Sequence, residues 1–123
     1  MPLSNTARNT AVVALTNTFT TLQFAADDTF SPILATITFA GFGTATAGAR
    51  SANAIAPSTV ANTGNIEAWR VRDSGNVTLI DETGALAVTG TGGGGIVVLN
   101  QATTAVTAGQ TLTIDTFTVT VPA

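Results

Sequence analysis

The chain reads as mainly β: a single antiparallel β-sandwich, Ig-like or jelly-roll-like, with a short N-terminal helix or arm. Three observations predict this. Apolar residues alternate with threonine and other polar residues in several short runs, such as ILATITF from Ile33 to Phe39. Clusters of Gly, Pro, Asn, Asp and Ser separate these runs at short intervals. The stretch from Gly64 to Glu82, GNIEAWRVRDSGNVTLIDE, carries two patterned segments about one turn. About seven or eight short strands in one small domain suit a sandwich. No repeat of about 20–50 residues argues for a solenoid.

Residues 1–18 read as the helix or arm and residues 19–123 as the β-sandwich domain. Ser4 can cap a helix running to Leu15, with Leu3, Ala7, Ala11, Ala14 and Leu15 on one face at helical spacing. Thr10, Val12, Val13 and Thr16 lower its propensity, so an extended arm in a neighbour's groove is an equal reading. Phe19 to Phe24 predicts a strand with Leu22 and Phe24 inward. Asp27, Asp28, Ser31 and Pro32 mark a loop. In the next strand Ile33, Ala35, Ile37 and Phe39 point inward while Thr36 and Thr38 point outward. Gly41-Phe42-Gly43 breaks it, and Ala49 to Ile55 is a weakly patterned strand. Pro57, Ser58, Asn62 and Gly64 form a connection.

The stretch that follows holds the only tryptophan, two of the four arginines and four of the seven acidic residues. A three-residue turn at Asp73-Ser74-Gly75, with Gly75 at positive φ, sets Arg72 against Asn76, Val71 against Val77, Arg70 against Thr78 and Trp69 against Leu79. One face is then Trp69, Val71, Val77 and Leu79; the other is Arg70, Arg72, Asn76 and Thr78. A two-residue turn would mix the faces and oppose Glu67 to Glu82, which pattern and charge both disfavour. Leu86 and Val88 follow, then the run GTGGGG, read as an inter-strand loop, and a short buried-type strand from Ile96 to Leu99. Asn100 to Gln110 is polar apart from Val106. In the last strand, Leu112 and Ile114 have one parity and Phe117, Val119 and Val121 the other. One face holds both sets only with an inserted residue, so a β-bulge is predicted at Asp115-Thr116. Pro122 ends the sheet.

Only 9% of residues are charged, against roughly 25% in ordinary soluble domains, while apolar types reach 45% and mean hydropathy is +0.41. That balance predicts a surface partly covered by neighbours, in an oligomer or a larger assembly. No apolar run approaches the roughly 18 residues of a membrane span or the length a secretory signal needs, so a chain made and used without export and without membrane partners is expected. Net charge is −3 with no lysine, and four scattered arginines do not make a phosphate-binding surface.

Familiar catalytic designs lack their side chains. Without His, Cys, Lys or Tyr there is no base or thiolate for Ser–His, Cys–His or Ser–Lys chemistry, and no tetrahedral zinc set of His or Cys. Gly90, Gly92 and Gly95 match a dinucleotide fingerprint in spacing alone, since the residues that follow are β-branched instead of helix-forming. Asp27-Asp28 and Asp81-Glu82 lack the pattern of a calcium loop. Neither catalytic nor metal nor cofactor residues are therefore expected, and Asn76-Val77-Thr78 is an accidental glycosylation sequon. Arg70 and Arg72 place half the positive charge on one outward strand face, as a solubilising surface or as a docking patch for acidic groups. Trp69 reads as a core anchor before an interface hot spot.

Three segments, in order after ARNTAVVAL, resemble small virion proteins of tailed bacteriophages. They are LATITF with FGTATAGARSANAI (Leu34 to Ile55), WRVRDSGNVTLID (Trp69 to Asp81), and VLN with TLTIDTFTVTVPA (Val98 to Ala123). The Gly92 to Gly95 run is richer in glycine than such proteins lead one to expect. The resemblance implies a non-enzymatic assembly protein, foremost a capsid decoration or cement protein. It would be synthesised in the host cytoplasm and seated on the capsid exterior as a trimer bound to the major capsid protein. The alternatives are a tail, fibre or baseplate component and, lower, a glycan-binding adhesion module. Candidate partner contacts on this reading are Leu3, Arg8 and Leu15 of the N-terminal segment with Arg70 and Arg72 of the hairpin. Removing residues 1–17 would then abolish capsid binding and leave the domain folded.

Overall fold

A computed structural model of the chain describes residues 3–83, 86–88, 97–101 and 103–121. It is mainly β with one helix. In chain order the elements are α1 (Asn5–Thr16), β1 (Thr21–Ala25), β2 (Ile33–Thr38), β3 (Ala49–Ser51), β4 (Ser58–Thr59), β5 (Gly64–Asn65) and β6 (Ala68–Arg72). They continue as β7 (Thr78–Thr83), β8 (Leu86–Val88), β9 (Val97–Leu99), β10 (Ala105–Val106), β11 (Thr111–Leu112) and β12 (Ile114–Thr120). The readings of the glycine run and of Pro122 lie outside the described residues.

Two four-stranded sheets make up the body, in the orders β2-β1-β6-β7 and β3-β12-β9-β8. The first is antiparallel throughout. The second departs from the all-antiparallel expectation, because β8 runs parallel to β9. The stretch expected as a plain connection carries two short strands, β4 pairing with β11 and β5 with β10. It also covers the outer edge of β2. Ala61 N–H donates to Leu34 O at 2.7 Å, Ser58 Oγ to Thr36 O at 2.8 Å, and Asn62 Nδ2 to Ile33 O at 2.8 Å. An edge so occupied cannot recruit a further strand.

The core lies between the sheets. Trp69 and Val71 of β6 and Leu22 and Phe24 of β1 meet Phe117 of β12, Val97 and Leu99 of β9, and Leu112, all fully buried. Burying each such side chain stabilises by roughly 1.5–3 kcal/mol. Phe117 joins the layers: its ring stands edge-on to Trp69 with centroids 6.0 Å apart, and it touches Phe19, Phe39 and Phe42 at 5.0–6.2 Å. The predicted bulge is present. Ile114 faces Leu99 and Thr116 faces Val98, so Asp115 is the inserted residue and Ile114 and Phe117 are both buried. A second bulge inserts Leu34 into β2, burying Leu34 beside Ala35.

The hairpin register differs from the expected one. Its loop is Ser74-Gly75-Asn76, closed by Asn76 N–H to Asp73 O and Asp73 N–H to Val77 O. Asn76, at φ 62°, takes the left-handed position expected of Gly75. Asp73 decides this, because its Oδ1 accepts from Gly75 N–H at 2.8 Å and from Val77 N–H at 3.0 Å. Asparagine tolerates the left-handed region, so the turn type survives one residue further along. A bulge between Val71 and Arg72 then shifts the pairing again, to Val71↔Ile80, Arg70↔Asp81 and Trp69↔Glu82. Val77 leaves the core as a result and is 57% exposed.

The N-terminal segment forms a helix rather than an extended arm. Extended Ser4 caps it, its Oγ accepting from Ala7 N–H at 3.1 Å. The inward face is not the one predicted, however. Ala7, Ala11 and Ala14 are exposed, while Val12 and Thr16 are buried. That is a rotation of about one residue, roughly 100°. Val12 and Leu15 join the same apolar cluster as Trp69, and alanine methyls would bury less. Residues 1–17 are therefore no detachable arm: deleting them uncovers the core.

Candidate contact surface

The outward face of the first sheet is built by register. Residues two apart on a strand share a face, so β1 presents Thr21 and Gln23, β2 presents Thr36 and Thr38, and β6 presents Arg70 and Arg72. Thr21 lies opposite Arg72 and Gln23 opposite Arg70. The Gln23 side chain organises the row. Its Oε1 accepts from Arg70 Nε at 2.8 Å and from Arg72 Nη1 at 3.4 Å, and its Nε2 donates to Thr36 Oγ1 at 3.4 Å. Arg70 also lies over the Phe30 ring, 4.3 Å from its centroid. Phe30 reaches that place from a backbone at φ 53°, in the loop after β1. Arg72 grips the hairpin turn with Nε at 3.1 Å and Nη2 at 2.7 Å from Asn76 O. Both guanidinium groups thus have their orientation set from within the fold.

The N-terminal candidates fare differently. Leu3 is 42% exposed and available to a neighbour. Arg8 is half-buried, its Nε donating to Val121 O at 2.9 Å and its Nη1 to Asn5 Oδ1 at 3.3 Å. Leu15 is half-buried against the core. The five candidates therefore do not form one patch: Arg70 and Arg72 share a sheet face, Leu3 stands apart at the start of α1, and Arg8 and Leu15 act inside the fold.

Two residues of consequence lie outside the sequence-derived set. Gln23 carries a signal, as the one long polar side chain between inward Leu22 and Phe24. Arg50 carries none. It pairs with Val119 across β3 and β12, and donates from Nε to Gly43 O at 2.7 Å and from Nη1 to Thr16 Oγ1 at 2.9 Å and Asn17 Oδ1 at 2.8 Å. Its guanidinium also lies 5.7 Å from the Phe42 ring centroid. A cation at the C-terminal end of α1 meets the negative pole of the helix, which fixes the helix against β3.

Among the described residues, no group of three or more acidic side chains converges as a metal site, and no ligand-sized cavity opens. Trp69 Nε1 is buried with no hydrogen-bond partner among the described residues. No family model, curated protein or solved structure matches the chain.

Proposed function

We propose that this chain is a non-enzymatic structural protein of a tailed-phage virion, most specifically a capsid decoration protein that binds the assembled lattice of the major capsid protein from outside. The observation that carries the reading is the sequence resemblance of its three segments, from Leu34 to Ile55, Trp69 to Asp81 and Val98 to Ala123. These include much of the β framework, and the residues they share with the resemblance are strand and turn residues. The low charge of the chain, at 9%, supports a protein that works among close neighbours. A trimer seated where capsid subunits meet would add many weak contacts, each favouring the assembled shell by mass action. Leu3 and the Arg70/Arg72 face are the contacts retained.

Copy number tests it. Gel densitometry of purified particles against the major shell protein should give hundreds of copies per particle. Tens or fewer would assign the chain to a tail or baseplate part, and absence from particles would end the virion reading. Binding is tested by Ala11→Arg on the exposed face of α1 and by Arg72→Gln, with expanded capsids and the folded variants. Truncation of residues 1–17 does not serve as a test, because it would unfold the domain whose binding it is meant to probe.

A further inference from the structure

We propose that the loop joining β1 to β2, residues 26–32, is a lid. Its Phe30 plugs an apolar seat on the outward face of the first sheet, and when it lifts, the seat takes a phenylalanine side chain of a protein partner. Nothing in the seat depends on that partner being a capsid.

Parity builds the seat. Leu22 and Phe24 of β1 face the core, so Ala25 lies on the opposite side with Thr21 and Gln23. Ala68 stands opposite Ala25 on β6, and Ile33 stands opposite it on β2. The bulge at Leu34 turns Ile33, read as inward, to this outer face. A short apolar row thus crosses three strands on the side of the sheet away from the core. Ala25 and Ala68 are nevertheless fully buried, because Phe30 covers them. These three residues form an apolar cluster of their own, separate from the main core, with Ile33 at its side. Arg70, the next outward residue of β6, closes the seat with its guanidinium 4.3 Å from the ring centroid.

The plug is held against its own backbone. Phe30 has φ 53°, a region that a bulky side chain enters only under constraint. The loop supplies the constraint. Asp27 Oδ1 accepts from Thr29 N–H at 3.0 Å and from Thr29 Oγ1 at 2.6 Å, and Asp27 O accepts from Phe30 N–H at 3.3 Å. These bonds are local, and the two to Asp27 Oδ1 are exposed, so the loop can open while the pairing of β1 and β2 stays intact. Opening relieves the strained backbone and uncovers the seat. A ring brought by another chain fills the same place without that strain, which is the physical reason it can displace Phe30.

The seat selects its occupant. A floor of alanine methyls leaves room for a flat ring, and a guanidinium against that ring favours a π face over an aliphatic chain. Arg70 keeps its bond to Gln23 throughout, since the incoming ring replaces the one already there. Asp27 and Asp28, exposed in the same loop, oppose the phosphates of a nucleic acid.

The probes are N-acetyl-phenylalaninamide and N-acetyl-leucinamide, titrated into the full chain and followed by carbon-13 NMR of alanine and isoleucine methyl groups. Phe30→Gly empties the seat and removes the strain in one change. A seat that is seldom open binds weakly in proportion, so this variant should bind the phenylalanine probe about tenfold tighter than the wild-type chain does. It should also prefer that probe several-fold over the leucine one, with shifts centred on Ala25, Ala68 and Ile33. Asp27→Ala is the second variant: it loosens the lid, leaves Phe30 in place, and should raise the wild-type affinity several-fold. Equal affinity in the wild type and both variants would make Phe30 a fixed part of the fold and overturn the proposal. Should Phe30→Gly not fold, unchanged affinity in Asp27→Ala overturns it alone. Equal binding of the two probes, or shifts centred on Leu3 or Val77, would do the same. So would signals that move with protein concentration alone, the mark of a second copy in the seat. Failure of the lid leaves the copy number on particles, and with it the virion reading, untouched.

Discussion

Gly48 is the position where backbone shape and packing coincide. It sits at φ +81° after Ala47 at +50°, in the tight turn between Thr46 and Ala49. A Cβ there would meet Val121 O at 2.7 Å and Arg8 Nε at 2.8 Å. Gly48 N–H also donates to Asn9 Oδ1 at 2.8 Å, and Gly48 O accepts from Val121 N–H at 2.8 Å, so helix, turn and last strand converge on it. Gly48→Ala should cost about 2–5 kcal/mol in urea unfolding, from left-handed strain plus overpacking. Gly109 provides the control: it has φ +90°, and a Cβ added there would have no atom within 4 Å. Gly109→Ala should cost strain alone, about 1–2 kcal/mol. The hairpin turn is tested in the same way. Gly75→Ala should cost less than about 0.5 kcal/mol, because its φ is not positive and an added Cβ meets only Asp73 Oδ1 at 3.4 Å. Asn76→Val should cost about 2 kcal/mol, since a β-branched residue resists φ 62°. The reverse order of costs would return the left-handed position to Gly75, one residue earlier.

The helix α1 depends on tertiary anchors more than on itself. Twelve residues rich in threonine and valine form a marginal helix alone. Its cap contributes a little: Ser4→Ala should cost about 0.5–2 kcal/mol. Arg50 contributes from another element, through Thr16, Asn17, Gly43 and Phe42. Arg50→Gln should cost about 2–4 kcal/mol, with loss of amide protection concentrated in α1 instead of spread over the sheets. Protection lost uniformly would show that the guanidinium does not hold the helix. The hairpin of β6 and β7 has the opposite character. Its turn is locally determined by Asp73, yet its register also needs the bulge beside Val71, which follows from packing.

Three of the four arginines spend their charge on neutral partners. Arg8, Arg50 and Arg72 all donate to carbonyl, hydroxyl or amide oxygens. Bonds of this kind are screened little by salt, unlike exposed ion pairs. The unfolding midpoint should therefore change by no more than about 1 kcal/mol equivalent between low salt and roughly 0.5 M sodium chloride. A larger fall would show that ion pairs carry the stability.

Much was legible from the alternation of residues. Ile37 inward with Thr36 and Thr38 outward, the buried Leu22 and Phe24, and the bulge at Asp115 all follow from parity, because a strand offers its side chains only two faces. Of the candidate contacts, parity placed Arg70 and Arg72 correctly on one outward face. It could not place Arg8 or Leu15, because a weakly patterned helix can turn about its axis at little cost until Val12 finds the core.

The local sequence by itself determined the β class, the helix cap at Ser4, the kind of turn at Asp73 and which side of each strong strand faces inward. These depend on dihedral preferences and on neighbours a few residues away. Only the tertiary structure decided the hairpin register, the parallel β8–β9 pair, the buried face of α1, and the bonds of Arg50 and Gln23. Each of those joins residues far apart in the chain, where the competing arrangements are alike in local energy and differ only in what the whole fold can bury and bond.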